Sequence, residues 1–125
     1  YVATASPSYP FDLVEKVKKA QKADGPAYIH MYACCPTGWR MAPDLAVEIG
    51  RVAVETGVFP LYEIDHGLVR MTYPTPKLRP LVDYLKPQGR FRHLLTEDNA
   101  HRVKEIEARL AKEYAALVRR AELGI

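Results

Sequence analysis

The chain has 125 residues, of which 48% are hydrophobic and 26% charged, with a formal net charge of +3. That length admits one compact domain with a real core and excludes two ordinary ones. The composition is that of a globular protein, the charge is too weak to argue for nucleic acid, and no stretch approaches the roughly 18 consecutive apolar residues of a membrane span.

In chain order, residues 1–6 (Tyr-Val-Ala-Thr-Ala-Ser) are short and β-prone, and fit the end of a strand. Ser8-Tyr9-Pro10 opens a helix, with Pro10 near the first helical position where its missing N–H costs little. Phe11, Val14, Val17, Ala20 and Gln21 recur at helical spacing, with Glu15, Lys16, Lys18, Lys19 and Lys22 on the other faces. Gly25-Pro26 is the expected stop. Residues 27–33 then read as a strand whose apolar run, Tyr28-Ile29-His30-Met31-Tyr32, predicts burial on both faces. Strand, helix and strand make a βαβ unit with parallel pairing.

Pro43-Asp44 opens a second helix with Leu45, Ala46, Ile49, Val52, Ala53 and Thr56 as its core stripe and Gly57 just past its end. Residues 59–64 and 68–73 read as strands joined by the Asp65-His66-Gly67 turn. Residues 81–85 form a short helix or turn. Thr96 is the expected cap of a long helix to about Glu122, with Val103, Ile106, Leu110, Tyr114, Leu117 and Val118 on one side. The fold class is α/β: a mainly parallel sheet, a peripheral hairpin and a long C-terminal helix. A parallel sheet wants more strands and cover on both faces, so further strands are expected upstream. The chain opens at Tyr1 rather than Met, which also reads as part of a longer polypeptide, and no secretory signal is visible.

The most informative stretch is Tyr32-Ala33-Cys34-Cys35-Pro36-Thr37-Gly38-Trp39, which holds both cysteines of the chain directly after the second strand. A thiolate at the C-terminal edge of a strand, followed by a Pro/Thr/Gly turn, is placed to meet a ligand. Adjacent cysteines make no disulfide framework, which favours a reducing, cytoplasmic setting. An iron–sulfur cluster needs about four thiolates and a structural zinc about four ligands. If Cys35 binds a metal centre, the remaining ligands come from elsewhere. Its other readings are a small buried hydrophobe and a nucleophile, although no His and Asp can be placed beside it. Cys34 reads as a packing residue.

His30, His66, His93 and His101 share no metal-ligand spacing, and His30 reads as a hydrogen-bonded core histidine. Trp39 fits either ordinary packing or cover for a bound group. The basic run Lys77, Arg79, Lys86, Arg90 and Arg92, interleaved with Tyr73, Tyr84 and Phe91, resembles a nucleic-acid surface. Pro74, Pro76, Pro80 and Pro87 break any regular basic face, so a solvated or subunit-facing loop is expected.

Taken together these residues resemble the C-terminal portion of the β subunit of pyruvate:ferredoxin oxidoreductases, members of the 2-oxoacid:ferredoxin oxidoreductase family. The likeness runs through Tyr1-Val2-Ala3-Thr4-Ala5-Ser6, Gly25-Pro26, the Tyr32–Trp39 stretch, Glu55-Thr56-Gly57-Val58-Phe59-Pro60-Leu61-Tyr62 and Tyr84-Leu85-Lys86-Pro87-Gln88-Gly89-Arg90-Phe91. It implies that residues 1–125 are the C-terminal segment of one α/β thiamine-diphosphate-binding domain. It implies that Cys35 is one ligand of the 4Fe–4S cluster beside thiamine diphosphate. The upstream Cys-x-x-Cys pair, a further cysteine and the Gly-Asp-Gly…Asn site for Mg2+ and the diphosphate do not occur here, so the isolated segment is expected to be inactive. The implied reaction is oxidative decarboxylation of a 2-oxo acid, most simply pyruvate, with coenzyme A taking the acyl group and ferredoxin the electrons. Implied partners are the other enzyme subunits and the upstream part of the same subunit. Branched-chain 2-oxo acids and 2-oxoglutarate are alternative substrates. A cofactor-free α/β interaction module is the alternative function.

Overall fold

The structure, a computed structural model, describes residues 1–125. Strand β1 (Val2–Ala5) leads into helix α1 (Pro10–Gln21) and strand β2 (Tyr28–Met31), then a single helical turn α2 (Pro36–Trp39). A 3-10 turn at Pro43–Leu45 runs into helix α3 (Ala46–Glu55), followed by the hairpin β3 (Leu61–Asp65) and β4 (Leu68–Tyr73). Helix α4 (Leu81–Leu85), two 3-10 turns and helix α5 (Ala100–Leu123) complete the chain.

The βαβ unit forms as expected: β1 and β2 pair in parallel, with Val2 opposite Tyr28 and Ala5 opposite Met31. The sheet is nevertheless mixed, in the order β2-β1-β3-β4. The hairpin joins it through β3, which runs antiparallel to β1 with Val2 opposite Ile64 and Ala3 opposite Glu63. The short link after α3 turns the chain straight back along β1. Thr4 Oγ1 donates to the Pro60 carbonyl at 2.7 Å and accepts the Tyr62 N–H at 3.0 Å, which holds that return in place.

Four expectations fail. Strand β2 is not buried on both faces: it is an edge strand of this sheet, with Tyr28 61% and Met31 45% exposed. His30 is therefore exposed instead of being a core histidine, and its ring meets Phe59 edge-on at 5.3 Å. The apolar stripe of α1 faces outward, with Phe11 87% exposed, and the residue it buries is Lys16 at 1%. Lys16 Nζ donates to the Thr4 carbonyl (2.8 Å), Asp12 (2.6 Å) and Thr72 Oγ1 (2.7 Å), so all three ammonium protons are satisfied across β1, α1 and β4. Thr96, finally, makes no side-chain cap; its hydroxyl lies against the His93 carbonyl, and Asn99 precedes α5.

The main apolar cluster lies among the helices. Tyr32, Met41, Ile49, Val52, Ala53, Leu81, Tyr84 and Leu85 are buried together, with Val103, Ile106 and Leu110 of α5 packed against them. The stripes expected for α3 and α5 face inward as read. This cluster carries the Cys34-Cys35 turn on one side.

Candidate functional site

Tyr32 is the last anchored residue before the turn: its N–H donates to the Ala5 carbonyl at 2.8 Å, and its ring is buried. From there the chain leaves the sheet, and the two cysteines diverge. Cys34 turns inward and its thiol donates to the Ala46 carbonyl at 3.3 Å. Burial pushes that thiol up, and the Tyr32 hydroxyl and Arg90 charge only partly offset this. Cys35 is exposed. It sits in extended backbone at the N-cap of α2, and its carbonyl accepts the Trp39 N–H at 2.8 Å. A Cβ at Gly38 would lie 3.1 Å from Cys35 Sγ, so glycine there leaves the sulfur room.

Pro36 fits the first helical position, and the first-turn amides of Thr37 and Gly38 have no partner within the turn. Arg40 ends α2 in the left-handed region (φ 53°), and its carbonyl accepts the Gly89 N–H at 3.0 Å. That bond ties the cysteine turn to the loop between α4 and α5. A Cβ at Gly89 would meet Arg40 Cβ at 2.8 Å, so the close approach requires glycine.

Arg90 holds the same junction from the side-chain direction. Its guanidinium lies 3.7 Å above the centre of the Trp39 ring and 4.5 Å from that of Phe91. Nε donates to Gln88 Oε1 (2.9 Å) and one Nη to the Tyr84 hydroxyl (3.1 Å), which in turn meets the Tyr32 hydroxyl at 3.1 Å. Trp39 packs edge-on to Tyr32, with ring centres 5.6 Å apart. The turn bearing Cys35 is thus backed by an aromatic and guanidinium stack, and its one exposed thiol faces away from the core.

No group of three or more His, Cys, Asp or Glu side chains is arranged to hold a metal ion. The residues present fit a metal centre only as donors of one outward thiolate, so the remaining ligands have to be supplied from beyond these residues. His66 pairs with Asp65 at the hairpin tip (2.8 Å), far in sequence from the cysteines. The basic run separates: Arg79 is bound to Glu55 and Asp83, whereas Arg90 and Arg92 join Arg40 and His93 along one groove. Sequence reasoning missed Arg40 and the Arg90–Trp39 stack. The only sequence signal was the Trp39-Arg40 pair directly after a Pro/Thr/Gly turn.

No family model matches the chain. Its curated relatives are informative. Pyruvate synthase subunit PorB of Methanothermobacter thermautotrophicus is 54% identical over 105 residues, covering 84% of this chain and 36% of the relative. The same subunit of Methanocaldococcus jannaschii is 54% identical over 98 residues, 78% of this chain and 33% of the relative. Ketoisovalerate oxidoreductase subunit VorB of Pyrococcus horikoshii is 42% identical over 125 residues, 98% of this chain and 39% of the relative. An α/β chain with an outward thiol on a braced turn, similar along most of its length to these subunits, belongs to the 2-oxoacid:ferredoxin oxidoreductase family. It spans little more than a third of the length of the relatives it matches.

Proposed function

We propose that this chain is part of the catalytic subunit of a coenzyme-A-acylating 2-oxoacid:ferredoxin oxidoreductase, with pyruvate as the 2-oxo acid, working in the cytoplasm. In this reading Cys35 supplies one ligand of a 4Fe–4S cluster lying next to thiamine diphosphate and its Mg2+. The observation that carries it is the divergence of the two cysteines: Cys34 is satisfied inside, and Cys35 is free at the surface on a turn that packing holds still. When bound, thiamine diphosphate supplies the electron sink for decarboxylation and the cluster conducts electrons onward to ferredoxin.

This chain's own residues do the positioning. Cys35 offers its sulfur at the surface, the Thr37 and Gly38 amides are available as donors to cluster sulfurs, and the Trp39–Arg90 stack fixes the turn. The other cluster ligands, the diphosphate site and the partner subunits lie outside residues 1–125.

Anaerobic native mass spectrometry of the complex purified around the natural-length polypeptide tests this reading. We expect partner subunits with iron–sulfur and thiamine diphosphate masses, and loss of one cluster in Cys35→Ser. Unchanged iron in that variant, or a complex with neither cofactor, overturns it and leaves a cofactor-free interaction module. The ketoisovalerate oxidoreductase relatives align over 98% of the chain, which keeps branched-chain 2-oxo acids as a second reading. Turnover of pyruvate against 2-oxoisovalerate by the same complex decides between them.

A further inference from the structure

Every arginine of the chain is exposed except Arg90, which is half-buried. A guanidinium taken out of water ordinarily meets a carboxylate, because a buried charge is costly unless it is paired. Arg90 meets none. Its Nε and one Nη donate to the Gln88 Oε1 and Tyr84 hydroxyl oxygens, both neutral. It enters no ion pair, in contrast to the exposed Arg70, Arg79 and Arg109. Its positive charge is left uncompensated, in a setting where water screens it less than it screens a surface group.

The charge is also fixed against the cysteine turn. The guanidinium carbon sits 3.7 Å from the centre of the Trp39 ring, and the Trp39 N–H is bound to the Cys35 carbonyl at 2.8 Å. Gly38 lines one groove with Arg90, and a Cβ added to it would lie 3.1 Å from Cys35 Sγ. On the other flank, a guanidinium only donates, so the Tyr84 oxygen accepts and its own proton is free for the Tyr32 oxygen, 3.1 Å away. Both tyrosines are buried, and successive donors in such a chain polarise one another. Tyr32 is the residue that anchors the turn to β1. Arg90 thus reaches the turn by two routes, through the Trp39 ring and through the two hydroxyls.

We propose, on the reading of Cys35 as a cluster ligand, that Arg90 is a positioning residue whose fixed charge raises the reduction potential of the centre Cys35 holds. The potential of a thiolate-held iron–sulfur centre is set by net charge, by hydrogen bonds around it and by exposure. Reduction adds one negative charge, so a cation fixed nearby in a part-buried site favours the reduced state. Arg40 and Arg92 carry the same charge, but both are exposed and screened by water and salt.

A redox titration of the assembled complex, followed by electron paramagnetic resonance, tests this. The signal that disappears in Cys35→Ser identifies the centre concerned. In Arg90→Met we expect full iron content and an about tenfold fall in the reduced-to-oxidised ratio of that centre at a fixed poise, equivalent to about 59 mV for a one-electron couple. Arg90→Lys restores the charge without the planar fork, and should return most of the lost potential. Arg92→Gln removes an equal charge from the exposed surface and should leave the potential where it was. An unchanged potential in an iron-replete Arg90→Met overturns the proposal, and so does an equal shift in Arg92→Gln, which would make net charge alone responsible. Should Arg90→Met lose its iron, Arg90→Lys decides: a wild-type potential supports the charge role, and a lowered one overturns it. Loss of iron from both variants also overturns it, leaving Arg90 a purely structural residue. Iron content in Cys35→Ser separates this from the proposed function. Iron unchanged there removes the cluster ligand itself, whereas iron lost there with the Arg90→Met potential unmoved sinks only the role of Arg90.

Discussion

The two sides of this chain are held together by opposite means. Among α3, α4 and α5 the contacts are apolar, with Ile49 1% and Leu81 2% exposed in a cluster of aliphatic and aromatic side chains. Between α1 and the sheet the buried groups are charged. Lys16 bridges Asp12, the Thr4 carbonyl and Thr72, while Glu63, 2% exposed, accepts from Lys19 and from the Tyr1 hydroxyl at 2.7 Å. Burial would raise the Glu63 carboxyl, but the Lys19 and Tyr1 hydrogen bonds together hold it below the usual glutamate range. Burial likewise lowers the Lys16 ammonium, partly offset by Asp12. An apolar interface tolerates many arrangements of similar volume, whereas a satisfied polar one permits a single register. The lesson is one of division of labour: the apolar side supplies most of the burial and carries the cysteine turn, and the polar side sets how α1 lies on the sheet.

Substitutions can break that contrast. The largest effect is expected for Ile49→Ala, about 4 kcal/mol, because it opens a cavity in the buried cluster among α3, α4 and α5. No second substitution nearby should recover it short of restoring volume. Lys16→Met should cost about 3 kcal/mol by stranding Asp12, yet Asp12→Asn on top of it should recover part of the loss. Hydrogen exchange of the β1 and β3 amides in the assembled protein measures both; a Lys16→Met cost that Asp12→Asn does not relieve would make the two sides alike. The smallest effect is expected for Glu63→Gln, about 2 kcal/mol at neutral pH. Because the folded Glu63 carboxyl lies below its unfolded value, its contribution is complete above the ordinary glutamate range and is lost as pH falls through the lowered value. Stability of the Gln variant should therefore fall less steeply than that of the wild type between neutral and acid pH. Parallel acid limbs would remove Glu63 from the account.

Legibility from sequence follows the same line. The α3 stripe, the Gly57 stop, the hairpin around His66-Gly67 and the inward face of α5 are all readable, because helical or alternating apolar period and turn chemistry act over a few residues. The α1 stripe is equally periodic and misleads. What buries Lys16 is a set of acceptors at positions 4, 12 and 72, which no local window contains. Phe11, Val14 and Val17 are left facing outward by that choice. The run Tyr28–Met31 is apolar enough for a central strand, but strand order is a property of the sheet, and here β2 has a neighbour on one side. The candidate site divides likewise. The cysteine turn is visible as a motif, whereas the groove is assembled from Arg40 and residues about 50 positions later, joined by one backbone bond at Gly89.

Residue types and their short-range spacing thus suffice to place the helices, the βαβ unit, the cysteine turn and the family likeness, since each depends on neighbours along the chain. Which face of α1 is buried, where the hairpin docks, which cysteine points outward and which arginines stand unpaired depend on partners brought together from remote segments. Those partners are selected by the requirement that every buried charge and amide be satisfied at once.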